Sequence, residues 1–224
     1  MQEGREVTSP TLQEIIVAKF ELQRRFGLQI ERHLAAELET LGELRDEVLQ
    51  GIGDGTAEPT VPLNEIFSDY VAFEFLFPHL LRSSLFLSNY SLFEDSLNRL
   101  CHIIEVSSRS RLRLKDLRGT GVIRARLFLD RVAELTFDEE GELWADVNRL
   151  RLLRNCLAHQ SGELGEVGSD LDLLVETHPA LTMDEAGHIV LEAEFVPWAY
   201  SRLESFLLKV ARYADSARNK ESSA

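Results

Sequence analysis

The sequence predicts a mainly α-helical protein, with one small β-hairpin before its last helix and a long helical extension at its N-terminus. Three observations predict it. Apolar residues recur at steps of three and four over most of the chain, the period of an amphipathic helix. Leu, Ala, Glu and Arg are common, and Pro occurs only 6 times in 224 residues. One stretch, "ALTMDEAGHIVLEAEF", breaks the helical texture with a turn signal at "DEAG" and partial alternation around it, which reads as a hairpin. The length suits one domain or one domain with an extension, and a hydrophobic fraction of 44% is enough for a core.

The elements follow in order. Thr8-Ser9-Pro10 reads as a helix start. Leu12, Ile15, Ile16, Phe20, Leu22, Phe26, Ile30, Leu34, Leu38, Leu41, Leu44 and Val48 then form one apolar stripe. It belongs either to a single long helix or to two helices hinged at Gly27. "GIGDGTAEPTVP" should end it as a flexible linker, separating residues 1–62 from a domain at 63–218. A helix over Leu63 to Phe77 meets Pro78, which breaks or kinks it, and a long helix runs from about His79 to Val106. "RGTG" at Arg118–Gly121 interrupts the basic segment that follows, and a helix resumes from Val122 to about Leu135. "DEEG" is a turn, Glu142 to Gln160 is a helix, and Gly162 is its stop. After the hairpin, Pro197 opens a closing amphipathic helix.

Composition narrows the class. Cys101 and Cys156 are the two cysteines and neither sits in a CxxC, so no disulfide framework is expected and a reducing compartment fits. "MQEGREVTSP" has no signal-peptide core. The most apolar run, "YVAFEFLFPHLL", is short, holds Glu74 and contains Pro78, so it reads as a buried helix rather than a membrane span. A soluble, cytoplasmic protein with no membrane partner is expected. The net charge of −14 argues against indiscriminate nucleic-acid binding. Yet residues 109–131 carry seven Arg and one Lys against two Asp, a net of +6 that includes Arg109, Arg111, Arg113, Lys115 and Arg118. That strip is either a solvated face paired with nearby acids or a track that steers an anion.

The chemistry-bearing residues gather in "RLLRNCLAHQSG", Arg151 to Gly162. On a helix, Leu143, Leu150, Leu153 and Leu157 fall on one side, and Asn148, Arg151, Asn155 and His159 on the other. Arg154 lies ~140° from His159 on a straight helix. It joins the stripe only if the helix ends before His159, or if its long side chain reaches around the edge or across an interface. A neutral His can move the 2′-hydroxyl proton of RNA or protonate the leaving oxygen. Arg can stabilise charge on the phosphate, and Asn can orient both. The same residues also make an ordinary polar face at a helix C-terminus, where cations suit the dipole. No metal or other cofactor is expected: Cys101 and His102 are adjacent and diverge by ~100° on a helix, which does not suit a zinc site. "RGTG" lacks the P-loop lysine and reads as a turn. His33, His79, His178 and His188 read as structural, and Trp144 and Trp198 as core or interface.

"LRNCLAHQSG" resembles the signature of the HEPN superfamily, an Arg followed after four to six residues by a His. Here the matching residues are Arg154, Asn155 and His159. "SNYSLFEDSLNRLCHII" is similar to the helix that precedes it in that family, with Glu94 followed one turn later by Asn98 and Arg99. The resemblance covers about residues 63–215 and leaves the N-terminal helix outside. It implies a HEPN-like antiparallel helical bundle that forms a homodimer, with two copies of the motif meeting in one cleft. It further implies a metal-independent endoribonuclease of the toxin–antitoxin or antiphage-defence kind. In that reading His159 is the acid/base, Arg154 contacts the phosphate, Asn155 orients them and Glu94 holds Arg154. Arg151 and the 109–131 strip would then bind RNA, and an antitoxin or a nucleotidyltransferase would be the partner protein. Many members of the family are non-catalytic, so the alternative is a nucleotide-binding or protein-interaction module of the same fold.

Overall fold

The computed structural model describes residues 10–54, 63–108, 110–135, 141–159, 162–164 and 170–222. Its helices are α1 (Leu12–Gly53), α2 (Leu63–Val71), α3 (Phe77–Ser107), α4 (Gly121–Val132), α5 (Gly141–His159), α6 (Asp170–Thr177) and α7 (Phe195–Ser222). Strands β1 (Leu181–Met183) and β2 (Ile189–Leu191) pair between α6 and α7. The chain is therefore mainly α with one small antiparallel hairpin. Among the described residues no helix is long and apolar enough to cross a membrane.

α1 is one unbroken helix. Its cap is Thr11 rather than Thr8 or Ser9, which lie outside the described residues: Thr11 Oγ1 accepts from the Glu14 amide, and the Glu14 carboxylate accepts from the Thr11 amide. Gly27 is no hinge. It is buried, and a Cβ there would come within 3.3 Å of Leu85 Cδ1, so the missing side chain lets α3 approach. The first half of α1 belongs to the core through Ile16 and Phe20. It is clasped by ion pairs from Arg24 to Glu204 and from Arg82 to Glu31, the latter at 2.7 Å. Most of the expected linker, residues 55–62, falls outside the described residues.

Pro78 neither breaks nor sharply ends the helical path. A π-turn over Ala72–Leu76 precedes it, with the Phe77 amide donating to Ala72 O, and Pro78 sits in the first turn of α3, where an amide donor is dispensable. α3 and α7 form the centre. Their rings meet edge-on, Phe86 with Phe195 at 5.9 Å and Phe93 with Phe206 at 6.0 Å. α4 packs on α3, and α5 lies across α3 and α7.

The hairpin aligns Leu181 with Leu191 and Met183 with Ile189. Leu181, Ile189 and Leu191 are buried beneath it. The Asp184 carboxylate closes the turn by accepting from the Ala186 and His188 amides, and Gly187 takes φ +85°. α6 is a helix that periodicity missed, because "DLDLLVET" is too short to show a repeat. Of the expected "DEEG" turn, only Gly141 lies within the described residues.

Candidate functional site

The side chains that matter come from facing stretches of α3 and α5. On α5 the buried positions are Asp146, Val147, Leu150, Leu153 and Cys156, an arc of roughly half the helix. Arg154 is four residues after Leu150, ~40° from its direction. It therefore leaves the helix at the edge of the core side and points toward α3. α5 does not end before His159, which is its last helical residue, so Arg154 does not join the polar stripe in that way. One Arg154 terminal nitrogen donates to Asn155 Oδ1 at 3.1 Å, and the other stands 3.8 Å from Glu94 Oε2 on α3. Both charged side chains are close to 30% exposed. Water therefore reaches them, and an anion could too.

Glu94 lies against a second element. A Cβ at Gly121 would fall 2.7 Å from Glu94 Oε1, so the carboxylate lies against the start of α4. Gly121 is the last residue of "RGTG" and takes φ +51°, a conformation that favours glycine. The amides and dipole at that helix start favour a negative charge. The sequence favours a turn here over a phosphate-holding loop; the fold places it beside Glu94.

Tyr90, one turn before Glu94 on α3, completes the neighbourhood. Its ring is fully buried and its hydroxyl has no hydrogen-bond partner among the described residues. Burial pushes its ionisation well above the ordinary phenol value, with Glu94 adding to the rise and Arg151 and Arg154 opposing it. All four groups thus share one environment. Sequence reasoning missed Tyr90, although its i,i+4 spacing to Glu94 was visible.

The remaining predicted residues divide. Arg151 Nε donates to Asn148 Oδ1 at 3.1 Å, and Asn148 in turn donates to Asp170 at the start of α6. His159 is exposed, and its side chain makes no hydrogen bond or ion pair with another described residue. It is one turn beyond Asn155, on the helix end that Gly162 closes. Gly162 takes φ +87°, donates to Cys156 O at 3.2 Å and accepts from the Ile189 amide at 2.9 Å, which ties this end to the hairpin. Arg109 lies outside the described residues. Arg111, Arg113, Lys115 and Arg118 are exposed along the connection from α3 to α4 and form no ion pair with a described residue. Farther along the strip, Arg124 caps Gly119 O at 2.7 Å and Arg126 stacks 4.2 Å from the Trp144 ring.

Cys101 and Cys156 are both buried, and burial raises both thiols, Cys101 to about 12, which keeps them protonated. Among the described residues no three His, Cys, Asp or Glu side chains come together as a metal site would require. The chain matches no family model, no curated protein and no solved structure.

Proposed function

We propose that this chain is a metal-independent endoribonuclease of toxin or antiphage-defence type, of HEPN-like fold, working as a homodimer. The observation that carries this reading is the Glu94–Arg154–Asn155 set, held between α3 and α5, with an exposed histidine one turn farther along α5. Arg154 is about one-third exposed and only loosely paired with Glu94, so it can turn from Glu94 to a phosphate oxygen. Asn155 limits where it turns. His159 takes the proton from a 2′-hydroxyl whose oxygen then attacks phosphorus. The 5′-oxygen leaves and is protonated, giving a 2′,3′-cyclic phosphate and a 5′-hydroxyl. The basic connection from Arg111 to Arg118 leads toward this set through Gly121 and is suited to the RNA backbone. An antitoxin or nucleotidyltransferase would be the regulating partner.

A second reading is a non-catalytic module that holds a nucleotide or a protein in the same cleft. What favours it is that His159 has no orienting hydrogen bond to a described residue. One experiment separates the two. RNA is incubated with the protein and with His159→Ala in excess EDTA, and the product ends are read by mass spectrometry. Cyclic-phosphate ends from the native chain, absent with the variant, support cleavage at this site. Intact RNA that is nevertheless retained by the native protein supports the second reading. A 5′-phosphate product sinks the proposed chemistry.

A further inference from the structure

The helical run from α2 through the π-turn into α3 leaves its apolar residues uncovered. Phe67, Val71, Phe75, Leu76, Phe77 and Leu80 are each between 41% and 61% exposed, while among the described side chains of α2 only Ile66 is buried. Phe67, Val71 and Phe75 follow one another at helical spacing, and Leu76 and Leu80 extend the same run. Contiguous exposed apolar surface of this kind marks an interaction site, whereas single exposed hydrophobes do not. The run spans about 20 Å and lies about 20 Å along α3 from Glu94, so it is separate from the cleft.

Charge decides what can cover it. The described residues 31–54 and 63–80 hold ten Asp and Glu against two Arg and no Lys, a net of −8. Glu65, Asp69 and Glu74 are exposed among the apolar side chains themselves. A second copy docked face to face would bring two such lobes together, and like charges oppose that. An anionic lipid surface is disfavoured for the same reason. A helix with apolar anchors and Lys or Arg at its flanks satisfies both features.

We propose that the run from Phe67 to Leu80 docks a cationic amphipathic helix of another protein. This stands independently of the ribonuclease reading. The probe is a labelled peptide of about 18 Leu and Lys residues patterned as an amphipathic helix, with its Leu/Glu counterpart as control. Binding to the full-length protein is read by fluorescence anisotropy. The Leu/Lys peptide is expected to bind and the Leu/Glu peptide not. Phe75→Ser with Leu80→Ser should weaken binding by about tenfold or more. Leu22→Ser with Phe26→Ser, equally exposed on α1, should leave it unchanged. Glu65→Gln, Asp69→Asn and Glu74→Gln together should weaken binding and reduce its salt dependence. If the Phe75/Leu80 variant loses its circular-dichroism helix signal, Val71→Ser with Leu76→Ser takes its place. The proposal is overturned if the peptide does not bind or if both serine pairs lose binding equally. It is also overturned if light scattering shows self-association that the Phe75/Leu80 variant abolishes, or if vesicles rather than peptide take up the protein.

Discussion

Arg154 and Glu94 stand 3.8 Å apart across the α3–α5 contact, close enough to attract but too far for a hydrogen bond. Among the described residues the Arg154 side chain donates to Asn155 instead, at 3.1 Å. The carboxylate therefore aims the guanidinium without capturing it. Because both groups are near 30% exposed, their coupling contributes only about 0.2–1 kcal/mol to stability. Glu94→Gln is expected to leave the melting temperature almost unchanged. If the proposed ribonuclease reading holds, it should lower RNA cleavage by up to about 100-fold, because Arg154 would then be misaimed at the phosphate. Rates measured at equal folded fraction check this, and an undiminished rate would remove Glu94 from the site.

Gly121→Ala should disturb the same carboxylate from the opposite side. At φ +51° an alanine carries a backbone strain of about 1–2 kcal/mol, and its Cβ would need to displace Glu94 Oε1 from 2.7 Å. Gly53→Ala is the comparison, since its Cβ would meet nothing within 4 Å. Chemical denaturation should show the first variant destabilised and the second neutral or slightly stabilised. If Gly121 acts through Glu94, adding Gly121→Ala to Glu94→Gln should lower cleavage less than it does in the native chain. Additive losses would mean that the two act separately.

How much of this could be read beforehand follows from what periodicity carries. The helix over 142–160 and its polar residues were legible because a period of 3.6 is a local property. The hairpin was legible because "DEAG" is a turn signal between apolar runs. Arg154's direction was not. A helical wheel places it ~140° from His159 but does not show that α3 presents a glutamate on that side. A hinge at Gly27 stayed open beside a single long helix because a glycine's local cost is visible in sequence, whereas the close approach of Leu85 is a tertiary contact. Gly121 beside Glu94 links residues 27 positions apart through a turn and gave no local signal. The π-turn before Pro78 was likewise hidden, since proline announces a broken hydrogen bond but not how neighbouring residues absorb it.

His178 should make the hairpin region acid-sensitive. Its ring lies 4.3 Å from that of Trp198 and 5.1 Å from that of Phe195, and its Nδ1 accepts from the Ala180 amide at 3.2 Å. That acceptor must be unprotonated. Burial lowers the imidazole below its ordinary 6.5, with Asp146 partly opposing. The unfolded chain thus binds a proton near pH 6.5 that the native state resists. Stability is present above that pH and is lost as pH falls below it. Denaturation midpoints compared at pH 7.5 and 5.5 should show this loss, and His178→Gln should flatten it. An equal slope in the variant would assign the effect to other groups.

Tyr90 and Tyr200 offer one substitution with two opposite expected signs. Both are buried tyrosines, but the Tyr200 hydroxyl donates to Leu85 O at 3.1 Å, whereas that of Tyr90 has no partner among the described residues. Tyr200→Phe gives up a hydrogen bond and should cost about 0.5–1.5 kcal/mol at neutral pH. Tyr90→Phe removes a desolvated, unpaired hydroxyl and should be neutral or stabilising by up to about 1 kcal/mol. At alkaline pH the two converge. Burial is the main reason that both phenols ionise well above their ordinary value of 10.0. The unfolded chain therefore releases their protons above pH 10 while the native chain keeps them, and stability falls as pH rises. Each Phe variant should lose stability less steeply than the native protein between pH 10 and 11.5. Urea titrations at pH 7.5, 10 and 11.5 measure both effects together. A Tyr90→Phe protein clearly less stable at pH 7.5 would mean that the hydroxyl has a hydrogen-bond partner after all, and the environment assigned to it beside Glu94 would be wrong.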